Sequence, residues 1–219
     1  MESPTIKSFK LRGTRITVAQ VDARNRLWPE FGIVYAPKAL NLSELLPASE
    51  GFVIEIGFGM GEATIEIAKN FPQLGFLAID VHQPGIGKVL SRIETESIAN
   101  IRVMDEDAHL VLAHMIADGS LDAIHLFFPD PWPKARHHKR RIVNEDFIAL
   151  AASKLKVDGV FQIATDWQPY ATWIAEKFAS SNLFIGGEVP RPQWRPLTRF
   201  ENQGITKKHR VTDFSYKKV

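Results

Sequence analysis

The chain has 219 residues, 45% of them hydrophobic and 24% charged, with no cysteine and a formal net charge of +2. That composition supports an ordinary buried core, and the lack of thiols excludes a disulfide framework, a thiolate metal site and a cysteine nucleophile. No apolar run reaches the roughly 20 residues of a membrane span, and the opening MESPTIKSFKLRGTR lacks the apolar centre of a secretory signal, so a soluble, cytoplasmic protein is expected.

Residues 1–28 carry six Lys/Arg against two acids, which reads as a basic N-terminal extension over 1–30 ahead of a single domain over 31–219. From there apolar runs alternate with helical periodicities. FVIEIG (52–57) reads as a buried strand, followed by a helix through Thr64, Ile65, Ile67 and Ala68. GFLAID (75–80) and a helix over 85–99 repeat the pattern, as do NIRVM (100–104) and a helix near 108–117. LDAIHLFF (121–128) is a fourth strand, and Phe147, Leu150, Ala151 and Leu155 mark the apolar face of the helix after it. GVFQIAT (159–165) precedes a helix over 170–180. LFIGGEV (183–189) and VTDFSYKKV then close the chain, the second alternating like an antiparallel edge strand. These elements predict an α/β fold: a mostly parallel seven-stranded sheet, helices on both faces, and an antiparallel last strand. Ligands of such sheets bind beyond the carboxyl ends of the strands, so the residues just after each strand are the candidates.

After the first strand comes EIGFGMG, where Gly57, Gly59 and Gly61 allow a tight turn and close approach of a ligand. A dinucleotide fingerprint would need glycine at position 62, which is Glu62, and a carboxylate at that helix start opposes a pyrophosphate. S-adenosylmethionine has no phosphate and carries a sulfonium and an ammonium, so it fits Glu55 and a middle region, 40–130, with fourteen acids against four Lys/Arg. Asp80 ends the second strand, where it can accept from ribose hydroxyls. Asp107 follows the third, where it can reach an adenine amino group, cap the next helix, or do both. Acids at the ends of successive strands resemble the Rossmann-like class I methyltransferase arrangement.

The segment FFPDPWPK (127–134) follows the fourth strand. Phe128, Asp130 and Trp132 each precede a proline and are expected to be extended, giving a stiff loop suited to holding Asp130 against a flat base. KARHHKRR (134–141) then brings basic charge back, with Arg136, Lys139, Arg140 and Arg141 as candidates for RNA backbone contacts. His137 and His138 have no third ligand at metal spacing, so no metal is expected. Trp132, Trp167 and Trp194 can stack on a base, with core packing at least as good a reading for the last two.

Taken in order, EIGFGMGE, IDVHQPGIG, FFPDPWPKARHHKRR, ATDWQPYA and RPLTRFENQG resemble the motif series of the tRNA (guanine-N7)-methyltransferases over nearly the whole chain. The resemblance implies S-adenosyl-L-methionine as cofactor, tRNA as partner, and transfer to guanine 46 of the variable loop by a monomer or homodimer. It implies cofactor contacts from Glu55, Asp80, Asp107 and Asp130, and substrate contacts from Lys134, Asp166, Thr198, Arg199, Phe200 and Glu201. Asp80 stands where the family usually has Glu. Asp130 is the expected catalytic residue, placed where positive charge develops on the purine. A methyltransferase for another RNA or a small molecule would share the acidic half, and a small neutral substrate would leave the basic run without a role.

Overall fold

The computed structural model describes residues 7–9, 15–206 and 208–219. Helix α1 (Val18–Phe31) opens on a capping box in which Thr17 and Gln20 exchange side-chain and backbone hydrogen bonds. It buries Ala23 and Leu27 against helix α4 (Gln83–Thr95). Its Arg24 pairs with Asp105 at 2.7 Å, and Arg26 reaches Glu94 at 2.7 Å. The later part of the stretch expected as an extension, with Arg24 and Arg26, is therefore a helix that docks on the acidic middle of the chain. Residues 1–6 and 10–14 of that stretch, including Lys10 and Arg12, lie outside the described residues.

Each of the seven expected strands forms: β2 (Gly51–Ile56), β3 (Leu74–Ile79), β4 (Ile101–Met104), β5 (Leu121–Phe127), β6 (Leu155–Thr165), β7 (Phe184–Val189) and β8 (Thr212–Lys218). A two-residue strand, β1 (Gly32–Ile33), adds an eighth beside β4, too short to leave a periodic signal. The order is β1-β4-β3-β2-β5-β6-β8-β7, and β8 alone runs against the direction of the other strands. β8 is not the edge strand its alternation predicted, because it pairs with β6 on one side and β7 on the other. Alternation reports which face of a strand is buried and says nothing about its hydrogen-bonding neighbours. Leu155, expected on a helix, is the first residue of β6.

Helices α1, α3 (Glu62–Asn70) and α4 cover one face of the sheet, meeting Val53, Phe76 and Ala78. Helices α5 (Ala108–Met115), α6 (Glu145–Lys154) and α7 (Gln168–Ala179) cover the other, meeting Ile54, Leu77 and Ile163. Successive side chains of each strand thus enter opposite cores, which is why these strands read as continuous apolar runs. The short helix α2 (Leu42–Leu45) precedes β2, and α8 (Arg199–Thr206) lies between β7 and β8 in the chain.

Candidate active site

The chain runs outward in both directions from β2 and β5, and beyond their carboxyl ends opens a cleft of about 990 Å³. Glu55, Gly57, Gly59, Asp80, Asp107 and Asp130 all line it. Gly57 and Gly59 have left-handed φ values of 73° and 56°, and a Cβ on either would meet no atom within 4 Å. Those two positions face open space that a side chain would partly fill. Gly61 has another role: buried at the start of α3 with φ 71°, it is where a Cβ would collide with Val89 of α4. It packs helix on helix and does not line the cleft.

Asp80 accepts from the N–H of Gly59 at 2.6 Å and of His82 at 2.9 Å, which straps the glycine turn to the end of β3. Burial pushes its carboxyl up, against the pull of those two N–H groups. Each Asp80 oxygen keeps a second lone pair, so the short side chain can hold the turn and still accept from a ligand. Asp107 caps α5 by accepting from His109 N–H at 2.9 Å. Glu55, 2% exposed, has no hydrogen-bond partner for its Oε2 among the described residues. Burial pushes this carboxyl up to about 7, with the Thr64 hydroxyl opposing the rise and the neighbouring Asp80 adding to it. A buried, unpaired carboxylate oxygen between a glycine turn and a second acid is costly unless a cationic ligand arrives. The donor set therefore suits the ammonium and sulfonium of S-adenosylmethionine and opposes a pyrophosphate.

The loop after β5 departs from the extended form expected of its pre-proline residues. Phe128 and Trp132 have φ values of 55° and 44°, left-handed conformations that bulky residues adopt only when packing holds them. Phe128 donates its N–H to Ala164 O at 2.7 Å, extending the β5–β6 pairing by one residue before the chain turns. Trp132 is buried with its indole N–H on Ser8 O at 2.8 Å and the Arg140 guanidinium 3.9 Å above its ring. It is a brace for the loop, with no face open to a base.

The basic run divides by burial. Lys134, Arg136 and Lys139 are exposed, at the start of and along the 3-10 helix Ala135–Arg140, and none lines the cleft. Arg140 is half-buried and donates to Lys7 O and Phe9 O at 3.0 and 3.2 Å. Arg141, expected on RNA, is buried: its Nε donates to Pro131 O at 2.9 Å and its guanidinium lies 5.0 Å from the Tyr170 ring and 4.9 Å from the Trp173 ring. It is removed from phosphate because it fills the space beneath the loop. Arg141→Ala should lower stability by about 1–3 kcal/mol, leaving Pro131 O without its donor, as thermal unfolding would show.

Across the cleft stand Asp166, Trp167, Thr198, Arg199 and Phe200. Asp166 Oδ2 lies 3.2 Å from His209 Nδ1. Trp167 is 38% exposed and Phe200 56%, the latter packed edge-on against Phe128 at 5.3 Å between ring centroids. Trp194 instead stacks at 5.1 Å on His125, whose imidazole burial pushes down to about 3, so His125 is core and Trp194 packs against it partly buried. Thr198 caps α8 by accepting from Glu201 N–H at 3.2 Å. Glu201, expected to touch substrate, is 2% exposed and bound to Arg195 by two hydrogen bonds. Arg195, Asp213 and His209 escape sequence reasoning: an ion cluster between distant segments leaves no period in the chain. Glu62 is a further surprise, accepting from Arg199 N–H at 2.8 Å and so tying α3 to α8.

Among the described residues no helix is long and apolar enough to cross a membrane, and no cluster of potential metal ligands occurs. Comparison with known proteins gives a family model described as "Putative methyltransferase" that matches residues 49–214. A tRNA (guanine-N(7)-)-methyltransferase of Streptomyces avermitilis is 45% identical over 98% of this chain and 76% of its own length. Its counterpart in Nitrosomonas eutropha is 44% identical over 99% of this chain and 98% of its own. Among solved structures, the 16S rRNA methyltransferase KamB superposes with a TM-score of 0.61 at 11% identity, covering 83% of this chain and 94% of that one. A 16S rRNA (adenine(1408)-N(1))-methyltransferase from Catenulisporales acidiphilia gives 0.59 at 12%, over 85% and 93%. These two likenesses concern the fold.

Proposed function

Because the chain belongs to the tRNA (guanine-N7)-methyltransferase family, we propose that it methylates N7 of a guanine in tRNA, guanine 46 of the variable loop, in the cleft beyond β2 and β5. The observation that carries the site is the buried Glu55 carboxylate, one oxygen unpartnered, in a cleft shared with the open glycine turn, Asp80, Asp107 and Asp130. Incubation with bulk tRNA and methyl-labelled S-adenosylmethionine, followed by nucleoside analysis, is expected to place the label in 7-methylguanosine. Label in another nucleoside, or in none, would overturn the reading. The reaction belongs in the cytoplasm, where tRNA is.

S-adenosylmethionine supplies an electrophilic methyl group on a sulfonium. Guanine N7 carries an in-plane lone pair, so the N–C bond forms as the S–C bond breaks, positive charge passes to the purine, and no proton leaves N7. The protein then needs alignment and carboxylates more than a general base. Glu55, Asp80 and Asp107 bind the cofactor, with Gly57 and Gly59 leaving room for it. Asp130, at the turn of the braced loop, faces the ring that becomes cationic. Asp166 accepts from the Watson–Crick-edge N–H groups of guanine, Trp167 and Phe200 offer it aromatic faces, and Arg199 neutralises phosphate. Lys134 meets the RNA from outside the cleft.

Two expectations follow for solution behaviour. The folded protein holds the Glu55 proton more tightly than the unfolded chain does, so the Glu55 contribution to stability of the ligand-free protein falls as pH rises from about 4.5 to about 7, whereas buried His125, pushed down to about 3, contributes the opposite slope up to about 6.5. The Glu55 part alone is on the order of 3 kcal/mol across the window, and it shows as a difference between wild type and Glu55→Gln. A cationic ligand prefers the ionised form, so affinity for S-adenosylmethionine should rise up to about tenfold per pH unit below about 7 and then flatten. Calorimetry at several pH values checks this, and Glu55→Gln should remove the slope. Charge on the RNA side is read by salt: replacing Arg136 and Lys139 with alanine should reduce the slope of log affinity for tRNA against log salt by about one for each cation lost. An unchanged slope would count against these contacts.

A further inference from the structure

We propose that Arg195 is a positioning residue for methyl transfer, fixing through Glu201 where α8 presents Thr198, Arg199 and Phe200 to the guanine. The inference rests on the functional reading above and assigns a role to a residue that does not itself touch the reacting atoms.

Helix α8 has almost no apolar anchor. Of its eight residues only Glu201 and Gly204 are buried, while Phe200 and Ile205 are 56% and 48% exposed. A helix this short is marginal on its own, and hydrophobic burial does not seat it. Polar contacts do. Arg195 Nη1 and Nη2 donate to the two Glu201 oxygens at 2.7 and 2.9 Å, and Nε and Nη2 donate to the two Asp213 oxygens of β8 at 2.7 and 2.9 Å. The side chains of Arg195 and Glu201 are each 1% exposed, and that of Asp213 6%. Arg191 Nε, 3.7 Å from Glu201, offsets the second carboxylate. The start of α8 is held separately, by Glu62 on Arg199 N–H.

The same guanidinium touches the catalytic loop, lying 5.8 and 5.6 Å from the Phe127 and Phe128 rings. Phe128 in turn carries Phe200. One planar cation thus sets the distance between the loop that holds Asp130, the strand β8 and the helix on the substrate side. Burying three charges is expensive, and an apolar cluster would seal the same space at less cost. What the cluster adds is geometry: the guanidinium fork binds two carboxylates in fixed directions, which a lysine head cannot do.

The test is a double-mutant cycle on transfer to tRNA with Arg195→Lys, Glu201→Gln and the two combined, alongside the affinity of each protein for S-adenosylhomocysteine. Each single variant is expected to lose at least about 30-fold in kcat/KM for tRNA while S-adenosylhomocysteine affinity stays within about 3-fold. The combination should be no worse than the more damaged single, because both residues act through one connection. Multiplying losses would mean that Glu201 meets substrate independently of Arg195, and would overturn the proposal. So would a parallel loss of S-adenosylhomocysteine affinity, which marks a general stabiliser, or singles with near-normal transfer. A wild-type chain that methylates no tRNA would sink the functional reading instead.

Discussion

Replacing Asp130 with alanine is expected to lower methyl transfer by about 10³ at saturating cofactor and tRNA. Positive charge moves onto the purine during the reaction, and Asp130 lines the cleft where that purine is to sit. Its loop is held against drift from three sides: Phe128 N–H on Ala164 O, Arg141 on Pro131 O, and Trp132 fixed between Ser8 and Arg140. A carboxylate so placed needs no reorganisation as the charge develops, which is where preorganised sites gain over water. Affinity for tRNA should change little, since the exposed cations lie elsewhere, and Asp130→Asn should fall between wild type and alanine. Single-turnover rates separate this loss from weaker binding. A variant with near-normal turnover would remove Asp130 from the mechanism.

The combined change Glu55→Gln and Asp80→Asn is expected to weaken S-adenosylmethionine binding by at least about 100-fold, from the loss of charge-assisted bonds to its cationic groups. Asp80→Asn also loosens the glycine turn, because an amide is a weaker acceptor for Gly59 N–H than a carboxylate. Stability should move the other way at Glu55. Above pH 7 that carboxylate is ionised and buried with one oxygen unpaired, so Glu55→Gln alone should raise the melting temperature of the ligand-free protein while reducing affinity. For a chain of this size a gain of about 1 kcal/mol corresponds to roughly 2–4 °C. A melting temperature that fell with affinity would mean that Glu55 is held by the fold and not reserved for a ligand.

The central strands and the acids at their ends were legible because two-sided burial leaves long apolar runs, and turn residues follow each run directly. Glu55, Asp80, Asp107 and Asp130 could be placed from that pattern alone, before any packing was known. Other features depend on contacts between distant segments. Arg141 looks like one more cation in KARHHKRR, yet the fold turns it under the loop between Tyr170 and Trp173. Glu201 is expected at the substrate by resemblance, yet Arg195 draws it inside. The left-handed Phe128 and Trp132 oppose the local preference of pre-proline residues, and their side-chain packing overrides it. Helix α1 was missed because its two buried residues, four apart, give little periodic signal among its basic ones.

The account stands or falls on one cleft holding both reactants, and diffraction from crystals of the protein with S-adenosylhomocysteine tests that most directly. The density is expected against Gly57 and Gly59, with the amino-acid end on Glu55, the ribose on Asp80, the adenine beside Asp107 and the sulfur turned toward Asp130. Density only outside that cleft, or a ligand bound in it with its sulfur turned away from Asp130, would contradict it.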